Sequence, residues 1–129
     1  MQNAMRAYLN SPAVKAWEQN KGITIKVICG TRSYSEQDKL YAQGRTTKGS
    51  KITNARGGYS LHNFGIAVDL GLFRGGKYLE ADTEYKTLVN SCGVPAGTEW
   101  GGNWKSIVDT PHFQLAKYGS SSAALRNIF

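Results

Sequence analysis

The stretch Ser60-Leu61-His62-Asn63-Phe64-Gly65-Ile66-Ala67-Val68-Asp69 limits how this chain can fold more than any other. Ile66, Ala67, Val68, Leu70 and Leu72 make a short apolar run with β-branched members, bounded by glycines, which predicts a buried strand. Asp69 falls inside that run. Carboxylates are almost never fully buried alone, because taking the charge out of water costs several kcal/mol or more. A cation must therefore stand beside Asp69. The stretch by itself is compatible with an arginine or a metal ion in that place.

The rest of the chain reads as alternating helices and strands. Ala4, Met5, Tyr8 and Leu9, then Val14, Ala16 and Trp17, recur at helical spacing over residues 3–20. Ser11-Pro12 fits an N-cap with proline at the first helical position, so two short helices or one sharp kink are expected, stopped at Asn20-Lys21-Gly22. Ile23, Ile25, Val27 and Cys29 alternate with Thr24 and Lys26 as in a half-buried strand, and Ile28 suggests that its end is covered on both faces. Ser33-Tyr34-Ser35-Glu36 offers a capping box for a helix to about Gln43. Residues 45–59 read as a long basic loop or a short edge element carrying Arg45, Lys48, Lys51 and Arg56. A hairpin turn is expected over Phe73–Tyr78, a helix from Asp82 or Thr83 to near Gly93, and a last strand over His112–Ala116. Thr98–Trp104 is rich in glycine and tryptophan, and the residues around Gly119–Ser122 read as a loose tail.

At 129 residues the chain is expected to be one domain, 1–129, with no linker or second domain, and long enough to bury a core without disulfides. Two cysteines, Cys29 and Cys92, are too few for a disulfide framework and lack CxxC spacing, so both are expected to be reduced packing residues. No apolar run approaches the roughly 20 residues needed to span a bilayer. Met1–Asn10 contains no signal-peptide core, so synthesis in the cytoplasm is expected. Sixteen basic against nine acidic residues give a net charge of +7, which suits polyanionic surroundings. No nucleic-acid-binding motif accompanies that charge, which leaves an anionic membrane, an acidic cell-wall polymer or a generally basic, solvated surface open.

The only other histidine, His112, ends the run Asp109-Thr110-Pro111-His112. Each histidine thus has an aspartate close by in a short motif. Neutral imidazole and carboxylate are zinc ligands, and a catalytic zinc keeps three protein ligands and one open position. His62, Asp69 and His112 are candidates for the three, which leaves Asp109 beside the metal as general base. Pro111 holds the residue before it extended, which helps fix where Asp109 points. The HExxH helix motif of other zinc proteases is absent.

Ser60-x-His62-x-x-Gly65-x-Ala67-x-Asp69, then Glu99-Trp100-Gly101-Gly102-x-Trp104 and Asp109-x-Pro111-His112-Phe113, resembles the D-alanyl-D-alanine carboxypeptidase and L-alanyl-D-glutamate endopeptidase family of zinc peptidases. Upstream, Arg32-Ser33, Glu36-Gln37 and Leu40–Thr46 extend the resemblance over roughly residues 20–116, and phage endolysin catalytic domains look most similar. The resemblance implies one zinc held by His62, Asp69 and His112, Asp109 as acid/base, and Arg32 near the scissile carbonyl. It places Ser60 and Gln37 near the cleft, touching substrate or supporting ligands, and gives Trp100 and Trp104 a packing role with a part in the cleft wall. Thr31 and Asn103 depart from the family pattern, where an aromatic residue and an aspartate are usual, and the N-terminal part is short.

The expected fold is therefore α+β, a small and mostly antiparallel sheet flanked by helices around a single zinc site. The expected activity is cleavage of an amide bond in peptidoglycan stem peptides, first of all L-Ala–D-Glu, by a monomer that reaches the wall after release as an endolysin does. A D-Ala–D-Ala carboxypeptidase would use the same residues, and a non-catalytic zinc module is the alternative from another class.

Overall fold

The computed structural model describes residues 1–105, 108–118, 122, 125 and 126. The fold is α+β, with four α-helices and a five-stranded antiparallel sheet among the described residues. Helix α1 (Gln2–Leu9) breaks at Ser11, whose Oγ accepts from the Val14 amide at 3.4 Å, and α2 (Pro12–Lys21) begins on the proline. Gly22 ends α2 in the left-handed region at φ +64°, where a side chain would be strained. Strand β1 (Thr24–Cys29) and helix α3 (Tyr34–Ala42) follow, and the Ser33–Glu36 capping box at the start of α3 forms as the sequence predicts.

Strand β2 (Ala67–Arg74) is the centre of the sheet. It turns through Gly75-Gly76, φ +57° and +77°, into the short β3 (Lys77–Tyr78), the two positive φ values that a tight two-residue hairpin requires. After α4 (Thr83–Cys92) come β4 (Thr98–Trp100) and β5 (His112–Leu115). The order across the sheet is β1-β2-β5-β4, with β3 on β2.

Alternation along β2 divides the molecule into a core side and a site side. Successive strand residues point to opposite faces. Val68, Leu70 and Leu72 join a core with Met5, Tyr8, Val14, Trp17, Tyr85, Leu88 and Phe113, drawn from α1, α2, α4 and β5. Leu70 and Leu72 are wholly buried and each contributes about 1.5–3 kcal/mol. Asp69 lies on the other face, its side chain 26% exposed. The strand is therefore covered by helices on one side and faces a cleft on the other.

Several expectations are corrected. Val27 and Ile28 are both 48% exposed, because β1 is an edge strand and its pairing with β2 slips between Val27 and Cys29. The end of β1 is a bulge, not a segment covered on both faces. Asp82 precedes α4 without capping it through its side chain; its Oδ1 instead accepts from Thr110 Oγ1 at 2.6 Å. In the expected tail, Gly119, Ser120 and Ser121 lie outside the described residues. Beyond them Leu125 is fully buried and Arg126 Nη1 donates to the Gly58 carbonyl at 2.8 Å, so these two residues are packed rather than loose. No helix is long and apolar enough to cross a membrane among the described residues.

Candidate active site

Strand register assembles the site. Asp69 on β2 pairs with Cys29 on β1 and with His112 on β5, so these three side chains form one row across the sheet. The next row down carries Ala67, Gln114 and Glu99. His62 arrives from outside the sheet, on a 3₁₀ turn (Leu61–Phe64) rather than at a strand entrance. Ser60 caps that turn, its Oγ accepting from the His62 amide at 3.3 Å, and Gly65 closes it at φ +71°.

His62 Nε2 lies 3.3 Å from Asp69 Oδ2, and His112 Nδ1 lies 3.0 Å from Asp69 Oδ1. Each histidine thus takes its own oxygen of one carboxylate. The far nitrogens are anchored: His62 Nδ1 is 2.9 Å from the Gly30 carbonyl, and His112 Nε2 is 2.8 Å from Gln114 Oε1. Gln114 Nε2 in turn donates to Glu99 Oε1 at 2.6 Å. An anchored N–H leaves the lone pair of the other nitrogen turned on Asp69, the arrangement by which carbonyl and carboxylate partners orient metal-binding histidines. A lone pair against a carboxylate oxygen is repulsive, so a proton or a metal ion must lie between them.

The electrostatics express the same need. Burial would lower the His62 imidazolium, yet hydrogen bonds to Asp69 and Cys29 outweigh it and push the group up to about 10. Burial would raise the Asp69 carboxyl, but bonds to His112 and His62 hold it well below the usual carboxylate range. Asp109 moves the other way: burial and then the charge of Asp69 raise it. Asp69, Asp109 and His112 offer donor atoms within 4.8 Å of one another, and so do Cys29, His62 and Asp69. Two imidazoles and two carboxylates around one half-buried spot are a donor set that fits zinc. Asp69 is common to both groups, and the two imidazole rings stand edge to face beside it, their centroids 5.5 Å apart.

Arg32 reaches the same cleft. Its amide donates to the His62 carbonyl at 2.8 Å, and Asn63 Nδ2 donates to its carbonyl at 3.0 Å, which stitches the arginine loop to the histidine turn. Its guanidinium is held from two sides, donating to Gln37 Oε1 at 2.6 Å and to Cys29 Sγ at 2.7 Å. Gln37 is wholly buried and its Nε2 donates to the Ala55 carbonyl at 2.6 Å, so it positions Arg32 and the following loop. The cleft measures about 1050 Å³ and runs from Arg32 past His62 and Asp69 to Asp109, with Tyr59 and Lys105 on its rim.

Trp100 does not line this cleft. It is buried, and its indole donates to the Thr110 carbonyl at 2.7 Å, which pins the segment before His112. Trp104 takes the wall position instead, its ring 5.1 Å from that of His112. The basic loop also differs from a free polar segment. Arg45 donates to the Tyr41 and Thr53 carbonyls and lies 3.8 Å over the Tyr41 ring, while Arg56 bonds the Tyr59 hydroxyl at 2.9 Å. Lys48 and Lys51 stay exposed.

Four contributors escape a reading of the sequence by residue type. Cys29 looks like a packing residue but stands in the row with Asp69, and the His62 bond with the charges of His62 and Arg32 lowers its thiol despite burial. Gln114 is legible in hindsight as the residue two beyond His112 on the same strand face. Asn63 is legible as the third member of the Ser60 cap, and Asp82 reads only as a helix cap, with no local signal for its bond to Thr110. Cys92, by contrast, packs against the core as expected.

Residues 53–115 match the family described as D-alanyl-D-alanine carboxypeptidase, a span that holds His62, Asp69, Asp109 and His112. The peptidoglycan L-alanyl-D-glutamate endopeptidase CwlK of Bacillus subtilis (strain 168) is 42% identical over 115 residues, covering 82% of this chain and 69% of that protein. A solved structure, the L-Ala D-Glu endopeptidase ChiX of Serratia marcescens, aligns with a TM-score of 0.48 at 24% identity, covering 82% of this chain and 77% of the other.

Proposed function

The chain belongs to the D-alanyl-D-alanine carboxypeptidase family of peptidases, and from that premise we propose that it is a zinc-dependent peptidoglycan hydrolase cutting the L-Ala–D-Glu bond of stem peptides. The observation that carries the proposal is the pair of anchored imidazoles turned on the two oxygens of Asp69, with Asp109 beside them. His62, Asp69 and His112 would hold the metal through Nε2, the carboxylate and Nδ1. Zinc bound there supplies Lewis acidity and makes water acidic enough to attack near neutral pH.

The remaining steps belong to protein groups. Asp109, ionised at the start, takes the proton of the attacking water on a carboxylate oxygen. Its raised affinity for that proton suits the task, because a general base works best when it holds the proton without trapping it. It then gives the proton to the amine that leaves. Arg32, fixed by Gln37 and Cys29, faces the scissile carbonyl and stabilises the charge that develops on its oxygen. Trp104 and Tyr59 bound the space in which the peptide lies.

The same groups would serve a D-Ala–D-Ala carboxypeptidase, the activity in the family's own description, since neither metal nor base distinguishes the amides. Digestion of purified peptidoglycan followed by mass spectrometry, with and without a chelator, decides between them. New N-terminal glutamate that disappears on chelation is expected. Free D-alanine would reassign the bond, and no cleavage at all would leave a zinc-binding module.

A further inference from the structure

We propose that Tyr59, backed by Arg56 and Arg126, is a carboxylate-binding subsite of the cleft that selects stem peptides by the free carboxylate of their D-Glu residue. The proposal rests on the reading that this cleft cuts the L-Ala–D-Glu bond. Its own support is a cluster that the metal chemistry does not use. Tyr59 lines the cleft, next in sequence to Ser60, and is 43% exposed, so a peptide has access to it. The Arg56 guanidinium lies 4.5 Å and the Arg126 guanidinium 3.9 Å from the centroid of its ring. Arg56 Nη2 also donates to the Tyr59 hydroxyl at 2.9 Å. Neither guanidinium has a carboxylate within ion-pair distance among the described residues. Asp38, the acid beside this loop, is engaged instead by the Gly57 amide at 2.7 Å. Two cations gathered on one phenol repel each other, and a carboxylate brought by the substrate relieves that repulsion.

The loop holds this arrangement before a peptide arrives. The Tyr59 amide donates to the Arg56 carbonyl at 2.9 Å, which closes a turn. Gly58 stands in that turn at φ +84°; its amide donates to Asn63 Oδ1 at 3.0 Å and its carbonyl accepts from Arg126 Nη1 at 2.8 Å. The turn is thus tied to α3 through Asp38, to the histidine turn through Asn63, and to Arg126 itself. Groups fixed in advance lose little entropy on binding. The Tyr59 oxygen accepts from Arg56, which leaves its own hydrogen for an outside acceptor. The Arg56 bond, then the charges of Arg56 and Arg126, lower this phenol and make it a stronger donor. The reach also fits. Tyr59 is three residues before His62, so their Cα atoms stand at most about 11 Å apart. The D-Glu residue supplies the nitrogen of the bond to be cut and has two carboxyl groups, of which the onward peptide link uses one. The other lies within one residue of the scissile bond, as the nearness of Tyr59 to His62 requires.

The test compares two synthetic stem peptides, one with that carboxylate free and one with it as the carboxamide, cut by the zinc-loaded full chain. The variants are Tyr59→Phe, Arg56→Gln together with Arg126→Gln, and Lys105→Gln, which removes the exposed cation of the rim. The unaltered protein should show a KM about 10-fold lower for the carboxylate peptide at similar kcat, the effect of one hydrogen bond to a charged group. Tyr59→Phe and the double arginine variant should raise KM for that peptide alone and bring the two peptides together, whereas a merely structural change would raise both. Equal KM values in the unaltered protein overturn the subsite and leave the hydrolase standing. So does a preference that persists in Tyr59→Phe and the double variant, or one that falls only in Lys105→Gln. Cleavage of neither peptide at L-Ala–D-Glu removes the reading of the cleft and this inference together. Should the double variant not fold, Tyr59→Phe decides alone, because it keeps the ring against which both guanidiniums lie.

Discussion

At the scale of single residues, the two aspartates of the cleft are driven in opposite directions by the same neighbourhood. Asp69 is held ionised by two histidines, whereas burial and the charge of Asp69 raise Asp109. Separating two carboxyls in this way assigns them different work, one to hold a cation and one to carry a proton. Asp109→Asn should therefore retain the metal, measured as bound zinc per chain, and lose about 10²-fold or more in turnover. Unchanged turnover would remove Asp109 from the mechanism. Gln114 acts one step further out, by fixing which nitrogen of His112 carries the proton. Gln114→Ala should weaken metal binding about 10–100-fold in competition with a chelator while leaving the far-ultraviolet spectrum intact. Equal affinity in the two proteins would mean that packing alone orients His112.

At the scale of elements, the site is a product of register, and this divides what the sequence discloses from what it hides. His62, Asp69, Asp109 and His112 are legible because their residue types and spacings are chemically restrictive. Helix starts at Ser11-Pro12 and Ser33, and the Gly75-Gly76 turn, are legible because capping and positive φ are local effects. Cys29 is not legible, since its place depends on a bulge and on a pairing with a strand some 40 residues away. The roles of Trp100 and Trp104 are hidden for the same reason: a tryptophan can pack or line a cleft, and only the turn between them decides. That turn (Gly101–Asn103) is itself testable. Gly101 accepts from the Asp109 amide at 3.0 Å, and a Cβ on Gly101 would collide with the Asp109 carbonyl oxygen. Gly101→Ala must push the Asp109 segment away, at about 1–3 kcal/mol in stability. A displacement near 1 Å costs about 10²-fold in rate, so kcat/KM should fall far more than the shift in Tm alone explains. A variant with normal kcat/KM would show that the segment accommodates the methyl group without moving Asp109.

At the scale of the whole molecule, β2 keeps folding and chemistry on separate faces. Val68, Leu70 and Leu72 meet three helices on one side, and Asp69 meets the cleft on the other. The core that holds the molecule together contains no candidate metal ligand. A chain of 129 residues is also above the size at which metals or disulfides become necessary for folding. Metal should therefore add stability by mass action rather than create the fold, giving about 2.7 kcal/mol when free zinc is 100 times its Kd. For a domain of this size that corresponds to a rise in Tm on the order of 5–20 °C. Chelation should abolish peptidoglycan cleavage yet leave the far-ultraviolet circular dichroism and one cooperative, lower melting transition. Readdition of zinc should restore both the Tm and the cleavage. Collapse of the helical signal on chelation would instead place the metal among the forces that fold β2 against β1 and β5, and the division between the two faces of the sheet would not hold.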